Sequence, residues 1–179
     1  EFRKRLLSYL STDMKNIGKK SVRLNDIINN ATDIGLLNKI ISSNTTKAKR
    51  ENIVGETNRL LEAYPQHYGL HYIKAAMYIG LGNYSRLIDS FQTIMRFGEQ
   101  NYGLTKQRMG EDIIKLLNRK EAEHIQAALW NELIPEISDL LSLTDDDLYE
   151  QIKTEQAKTS RQVNAMSDIA NLVKRRRHY

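Results

Sequence analysis

Apolar residues along this chain recur at intervals of three and four, and they almost never alternate with polar ones. Leu36, Leu37, Ile40 and Ile41 show the pattern, as do Ile53, Thr57, Leu60 and Leu61. It returns in Ala75 and Tyr78, in Leu87, Phe91 and Ile94, in Met109, Ile113, Leu116 and Leu117, and in Ala122, Ile125, Ala128 and Leu129. Such spacing puts a stripe on one face of a helix, and no sustained period-two run bounded by turn residues argues for a strand. The expected fold is all-α, built from stacked antiparallel helical hairpins. Punctuation agrees with that reading. Ser42 to Thr46 is a loop that ends in a helix cap at Thr45 or Thr46, and Gly82, Asn83 and Tyr84 make a tight turn. In Leu143 to Tyr149, Thr144 caps a helix whose first turn holds Asp145, Asp146 and Asp147, with Leu143 and Leu148 spaced as a hydrophobic staple. Towards the start, Leu6, Leu7 and Leu10 share one side, and residues 16–31 carry Ile17, Leu24, Ile27 and Ile28 at helical spacing. Residues 153–162 hold no large apolar side chain and read as a solvated helix or a hinge. Val163, Met166, Ile169, Ala170 and Val173 then form a short stripe. The expected organisation is a helical-repeat-like domain over 1–152 and a C-terminal helical arm over 153–179 with a basic tip.

One stretch is more specific than the rest. Gln66 to Glu99 pairs a first helix carrying Ala75 and Tyr78 with a second carrying Leu87, Phe91 and Ile94, across the Gly82–Tyr84 turn. This 34-residue unit resembles the tetratricopeptide repeat family: Ala75, Tyr78, Gly82, Tyr84 and Phe91 fall on its small, aromatic, glycine, aromatic and bulky positions, and Pro65 falls where a preceding repeat would close. His71 replaces the family's tryptophan, Lys74 its leucine, Leu87 a small residue and Glu99 the closing proline. Pro135 lies near the next closing position. The resemblance implies a partner peptide or helix along a concave surface lined by first helices, with His71, Lys74 and Met77 on that face. An irregular all-α domain holding one repeat-like hairpin stands beside this reading, because any amphipathic hairpin shows such spacings.

Charge changes the picture more than composition does. The 179 residues carry a net +5. Residues 1–50 hold eleven Lys and Arg against four Asp and Glu, residues 121–168 hold three against eleven, and Lys174, Arg175, Arg176 and Arg177 close the chain. A basic front, an acidic rear and a basic tip suit either head-to-tail pairing or a polyanion. Lys15, Lys19, Lys20 and Arg23 largely share a helix face, and with Lys174 to Arg177 they form a candidate phosphate-binding set that would bind nucleic acid without reading its sequence.

Chemistry is sparse. There is no cysteine, which removes disulfides, thiolate zinc sites and cysteine nucleophiles, and fits a reducing, cytoplasmic (intracellular) setting. No apolar run approaches the roughly 20 residues of a transmembrane helix. Glu1 and Phe2 look like a cloning scar and point to an excised piece. His67 and His71 fall at i, i+4 beside Tyr64, Tyr68 and Tyr72, which reads as an aromatic surface ridge; two histidines without a third ligand make no zinc site. No phosphate loop or nucleophile motif is present. The reading is therefore non-enzymatic, with no catalytic residue, cofactor or metal: a protein–protein interaction module of adaptor, chaperone-like or regulatory kind. The alternative is a nucleic-acid-associated helical protein of plasmid, phage or viral type. Self-assembly into a homo-oligomer through the C-terminal arm is the third.

Overall fold

In a computed structural model the described residues are 22–125 and 127–163. Among them lie seven α-helices and no strand: α1 (Ile34–Ser43), α2 (Lys47–Ala63), α3 (Tyr68–Leu81), α4 (Tyr84–Tyr102), α5 (Lys106–Leu117), α6 (Ala127–Leu141) and α7 (Asp145–Val163), with short 3-10 helices at Leu24–Ile27 and Lys120–His124. The protein is all-α, and its packed helices are compatible with a helical repeat. No described helix is long and apolar enough to cross a membrane. The chain divides into two compact units, Glu1–Lys74 and Ala75–Tyr179, and the division falls inside α3. Residues 152 and 153, where the sequence suggests a boundary, sit within the continuous helix α7.

In the first unit, helix starts follow their caps. The Asp33 carboxylate accepts from the Leu36 N–H at the head of α1, and the Thr46 hydroxyl accepts from the Lys49 N–H at the head of α2. Of the two threonines that end the Ser42–Thr46 loop, Thr46 is the cap. Leu37, Ile40 and Ile41 of α1 and Ile53 and Thr57 of α2 are buried. The helix expected through Ile28 is not there: the chain makes one 3-10 turn at Leu24–Ile27 and further turns up to α1. Local side chains explain the difference. The Arg23 N–H donates to Asp26 Oδ2 at 2.8 Å, and the Asn30 side chain donates to the Asp26 carbonyl. Asp and Asn offer the backbone these alternatives and so erode a helix. Leu24 and Ile27 are still buried, since a spacing of three suits a 3-10 turn as well as an α-helix.

The second unit is punctuated by one repeated device. At the ends of α3, α4 and α6 a residue in the left-handed region turns the chain, and the next N–H reaches back five residues at α3 and α6 and six at α4. Gly82 (φ 74°) precedes Asn83 N–H to the Tyr78 carbonyl at 3.0 Å, and Gly103 (φ 60°) precedes Leu104 N–H to Gly98 at 3.0 Å. Ser142 (φ 56°) precedes Leu143 N–H to Ser138 at 2.8 Å. This is the Schellman closure, which normally asks for glycine. Thr105 caps α5 and Thr144 caps α7, each through its hydroxyl at 3.1 Å. Within the unit α4 packs on α5 and α6, α5 on α6 and α7, and α6 on α7. Leu87, Phe91, Ile94, Ile113, Leu116, Ile137 and Leu148 are fully enclosed.

Two expectations fail here. Ala122, Ile125, Ala128 and Leu129 do not share a helix: the 3-10 turn ends at Ile125, whose ψ of 118° is extended, and α6 starts after it. Pro135 does not close a unit but lies inside α6. It deletes the bond its N–H would make to Asn131, yet both residues are exposed, where water can replace the missing donor.

Candidate functional site

One concave surface of the second unit runs between α4 and α6 and has a volume of about 840 Å³. Helical periodicity builds it from both sides. On α4, Tyr84, Ile88 and Asp89 fall within one turn of each other on one face; on α6, Leu129, Glu132, Glu136, Asp139 and Leu140 do the same over three turns. Tyr84, Ile88, Leu129 and Leu140 are half-buried, forming an apolar floor, while Asp89, Glu132, Glu136 and Asp139 are exposed along it. Among the described residues no lysine, arginine or histidine lines the groove. Among the described residues, none of these four carboxylates makes an ion pair. Like charges one turn apart on a helix cost roughly 0.2–0.5 kcal/mol per pair. The free chain thus carries mutual repulsion along an apolar trough, a cost that a cationic occupant would remove.

Two more concave surfaces of this unit differ in chemistry. A groove of about 800 Å³ between α5 and α7 is lined by Lys106 and Lys115 as well as Glu111 and Glu155, so its charges balance. A cavity of about 320 Å³ is walled by Trp130, Tyr149, Leu117 and Ile152. Arg119, at its edge, already faces Glu121 at 3.4 Å. Among the described residues no three His, Asp or Glu side chains are grouped to hold a metal ion, and Asp145, first of the acidic triplet, accepts a hydrogen bond from Ser138.

The residues singled out from the sequence are placed otherwise. Met77 is only 1% exposed and belongs to the core, so it is corrected from partner contact to packing. The His71 imidazole Nε2 donates to the Pro65 carbonyl at 2.9 Å, and Lys74 is half-buried. The aromatic ridge is corrected as well: Tyr68 and Tyr72 are stacked and fully buried, and only Tyr64 is exposed. Of the candidate phosphate-binding set, Arg23 is exposed next to the first 3-10 turn, whereas Lys15, Lys19, Lys20, Lys174, Arg175, Arg176 and Arg177 lie outside the described residues. So does the stripe that follows Val163.

His67 has a role the sequence did not announce. It precedes α3, and its Nδ1 accepts from the Leu70 N–H at 3.1 Å, as an N-cap side chain does. That assignment leaves the proton on Nε2, which donates to the carbonyls of Ile27 and Ile28 at 3.0 and 3.2 Å. The imidazole ties the start of α3 to the first 3-10 turn, all within the first unit. Burial lowers its pKa below the ordinary 6.5, against the pull of the Ile28 and Ile27 carbonyls. Gly69 completes the junction: a Cβ there would lie 2.8 Å from the Ala31 carbonyl oxygen and 3.0 Å from Leu37. His67 and His71 therefore serve separate carbonyls rather than a shared metal.

The groove residues went unnoticed in the sequence for a physical reason. The acidic excess of 121–168 is plain, and Glu132, Glu136 and Asp139 stand at i, i+4 and i+7. What no local pattern gives is the pairing of α6 with α4, which supplies Ile88 and Asp89. The chain matches no family model, no curated protein and no solved structure.

Proposed function

We propose that this protein is a protein-interaction module whose docking surface is the α4–α6 groove, and that its partner is a basic amphipathic segment of another protein. One observation supports this above all: four exposed carboxylates without an ion pair among the described residues, set along an apolar floor with no cation. An amphipathic helix carrying apolar residues at three- and four-residue spacing and Lys or Arg beside them would cover the floor and neutralise the rim. The finer family reading fits the same picture: the 66–99 hairpin is a single tetratricopeptide-like unit, and the docking surface is shared between its second helix and α6 rather than lying on His71, Lys74 and Met77.

Calorimetric titration of the full chain with a designed 15-residue amphipathic peptide, net charge about +4, tests the proposal, with a charge-inverted peptide of the same apolar pattern as control. Binding by the cationic peptide alone, lost on Glu132→Lys/Glu136→Lys, is expected. Equal binding of both peptides, or of neither, refutes it. Single- and double-stranded DNA and RNA are titrated in parallel. Nucleic-acid binding that collapses between 50 and 200 mM salt, with no peptide binding, would instead support the phosphate-binding alternative.

A further inference from the structure

We infer that the cavity walled by Trp130 and Tyr149 is a binding site for a free aromatic α-amino acid, independent of the α4–α6 groove. The two share no lining residue: α6 gives Leu129, Glu132 and Glu136 to the groove and Trp130 and Asn131 to the cavity. The remaining wall comes from three further elements of the second unit. Leu117 ends α5, and Ala122 and Glu123 stand in the 3-10 turn that follows. Tyr149, Ile152 and Lys153 fall at i, i+3 and i+4 on α7, which puts them on one face within about one turn. The volume of about 320 Å³ lies at the small end of the roughly 300–1,000 Å³ of small-molecule sites, which suits one ring and its substituents.

The chemistry of the wall selects the ligand. Leu117, Ala122 and Ile152 are buried, whereas Trp130 is half-buried and Tyr149 is 38% exposed, so both aromatic side chains keep surface open to a visitor. A ring that meets them offset or edge-on gains beyond simple burial. Of the charged residues at the cavity, Arg119 is engaged by Glu121 at 3.4 Å. Lys153 and Glu123 are exposed, and among the described residues neither makes an ion pair, with the other or with a third group. One cation and one anion, held on different elements beside aromatic walls, complement a molecule that joins a carboxylate, an ammonium and a ring. An aromatic α-amino acid carries all three on a short frame. A peptide end brings only one of its charges, and a simple aromatic acid or amine leaves Glu123 or Lys153 unmatched.

The experiment is a titration of the full, nitrogen-15-labelled chain with L-phenylalanine, followed by the indole N–H resonance of Trp130. With about twelve non-hydrogen atoms the ligand should bind with a Kd of about 1 mM or tighter. L-alanine, which lacks the ring, should move nothing. Hydrocinnamate lacks the ammonium and phenethylamine lacks the carboxylate; each should bind about fivefold more weakly. Lys153→Glu and Glu123→Lys, both at exposed positions, should each weaken L-phenylalanine about tenfold and leave the rest of the spectrum in place. An indole resonance that stays still at about 10 mM L-phenylalanine overturns the inference, as does equal binding of L-alanine. Equal binding of either single-charge analogue, or affinity unchanged in both variants, removes the rim charges from recognition and overturns the choice of an amino acid. The cationic peptide, added to the same sample, reads the other site: its binding without any response to L-phenylalanine leaves the α4–α6 docking surface standing and this inference refuted.

Discussion

The two units put their most conspicuous polar groups to different uses. Glu1–Lys74 turns them inward: His67 is 5% exposed and commits both ring nitrogens to the backbone of the same unit. Among its described residues Ala75–Tyr179 also buries Ser90, Ser138 and Asp112, the last paired with Arg108 at 3.1 Å, but it carries further carboxylates outside, on the rim of a trough. A buried, satisfied polar group specifies a local structure and is costly to disturb. An exposed charge with no counter-charge does little for the fold and is available to another molecule. The contrast teaches where to look for function: residues of striking chemistry, such as the paired histidines, belong to the architecture, while ordinary surface acids form the candidate site.

Substitutions can break or sharpen that contrast. The largest effect should come from Phe91→Ala, which empties a fully enclosed site in the second unit and should cost about 3–5 kcal/mol in urea unfolding. A cost under roughly 1 kcal/mol would mean that Phe91 is not a core anchor. Next comes Gly69→Ala in the first unit. Its new methyl meets a backbone oxygen that cannot swing away, and we expect about 1–3 kcal/mol of destabilisation. Thr144→Ala removes the α7 cap and should cost about 1 kcal/mol.

The pH dependence of the first unit should carry the mark of His67. Its folded pKa lies below the unfolded value of 6.5, so the unfolded chain binds the extra proton first. Its contribution is complete above pH 6.5, declines as the pH falls below that value and levels off beneath the depressed native pKa. His67→Asn, which keeps a capping oxygen and cannot titrate, should flatten this slope in urea titrations at pH 5 and 7; an unchanged slope would assign the dependence elsewhere. The smallest effect on the fold belongs to Glu132→Lys/Glu136→Lys, within about 0.5 kcal/mol of the unaltered chain. The same pair should abolish binding of the cationic peptide. A large loss of stability instead would show that these carboxylates are structural, and the contrast between the units would fall.

Much of the fold was legible because its signals are local. Caps at Thr46 and Thr144 and the Gly82 turn need only neighbours within four residues, and the stripe of Leu87, Phe91 and Ile94 needs only one helix. Failures came where a local pattern is degenerate. Leu24 and Ile27 suit a 3-10 turn as well as a longer helix, and the run from Ala122 to Leu129 keeps its spacing across a break at Ile125. Tyr68, Tyr72 and Met77 looked like surface because amphiphilic side chains do not declare their depth. The candidate groove was only half readable, since α6 shows its acids in sequence but the facing α4 residues come from forty positions earlier.

Trp130 is the single tryptophan of the chain and stands, half-buried beside Tyr149, wholly within the second unit. Light absorbed at the red edge of the aromatic band therefore interrogates that unit alone. The first unit, with its tyrosines and histidines, is dark to the same probe. A melt followed by tryptophan emission and one followed by far-ultraviolet ellipticity will coincide only if both units lose their structure together, so the composition of the chain supplies a built-in test of whether it unfolds in one step or two.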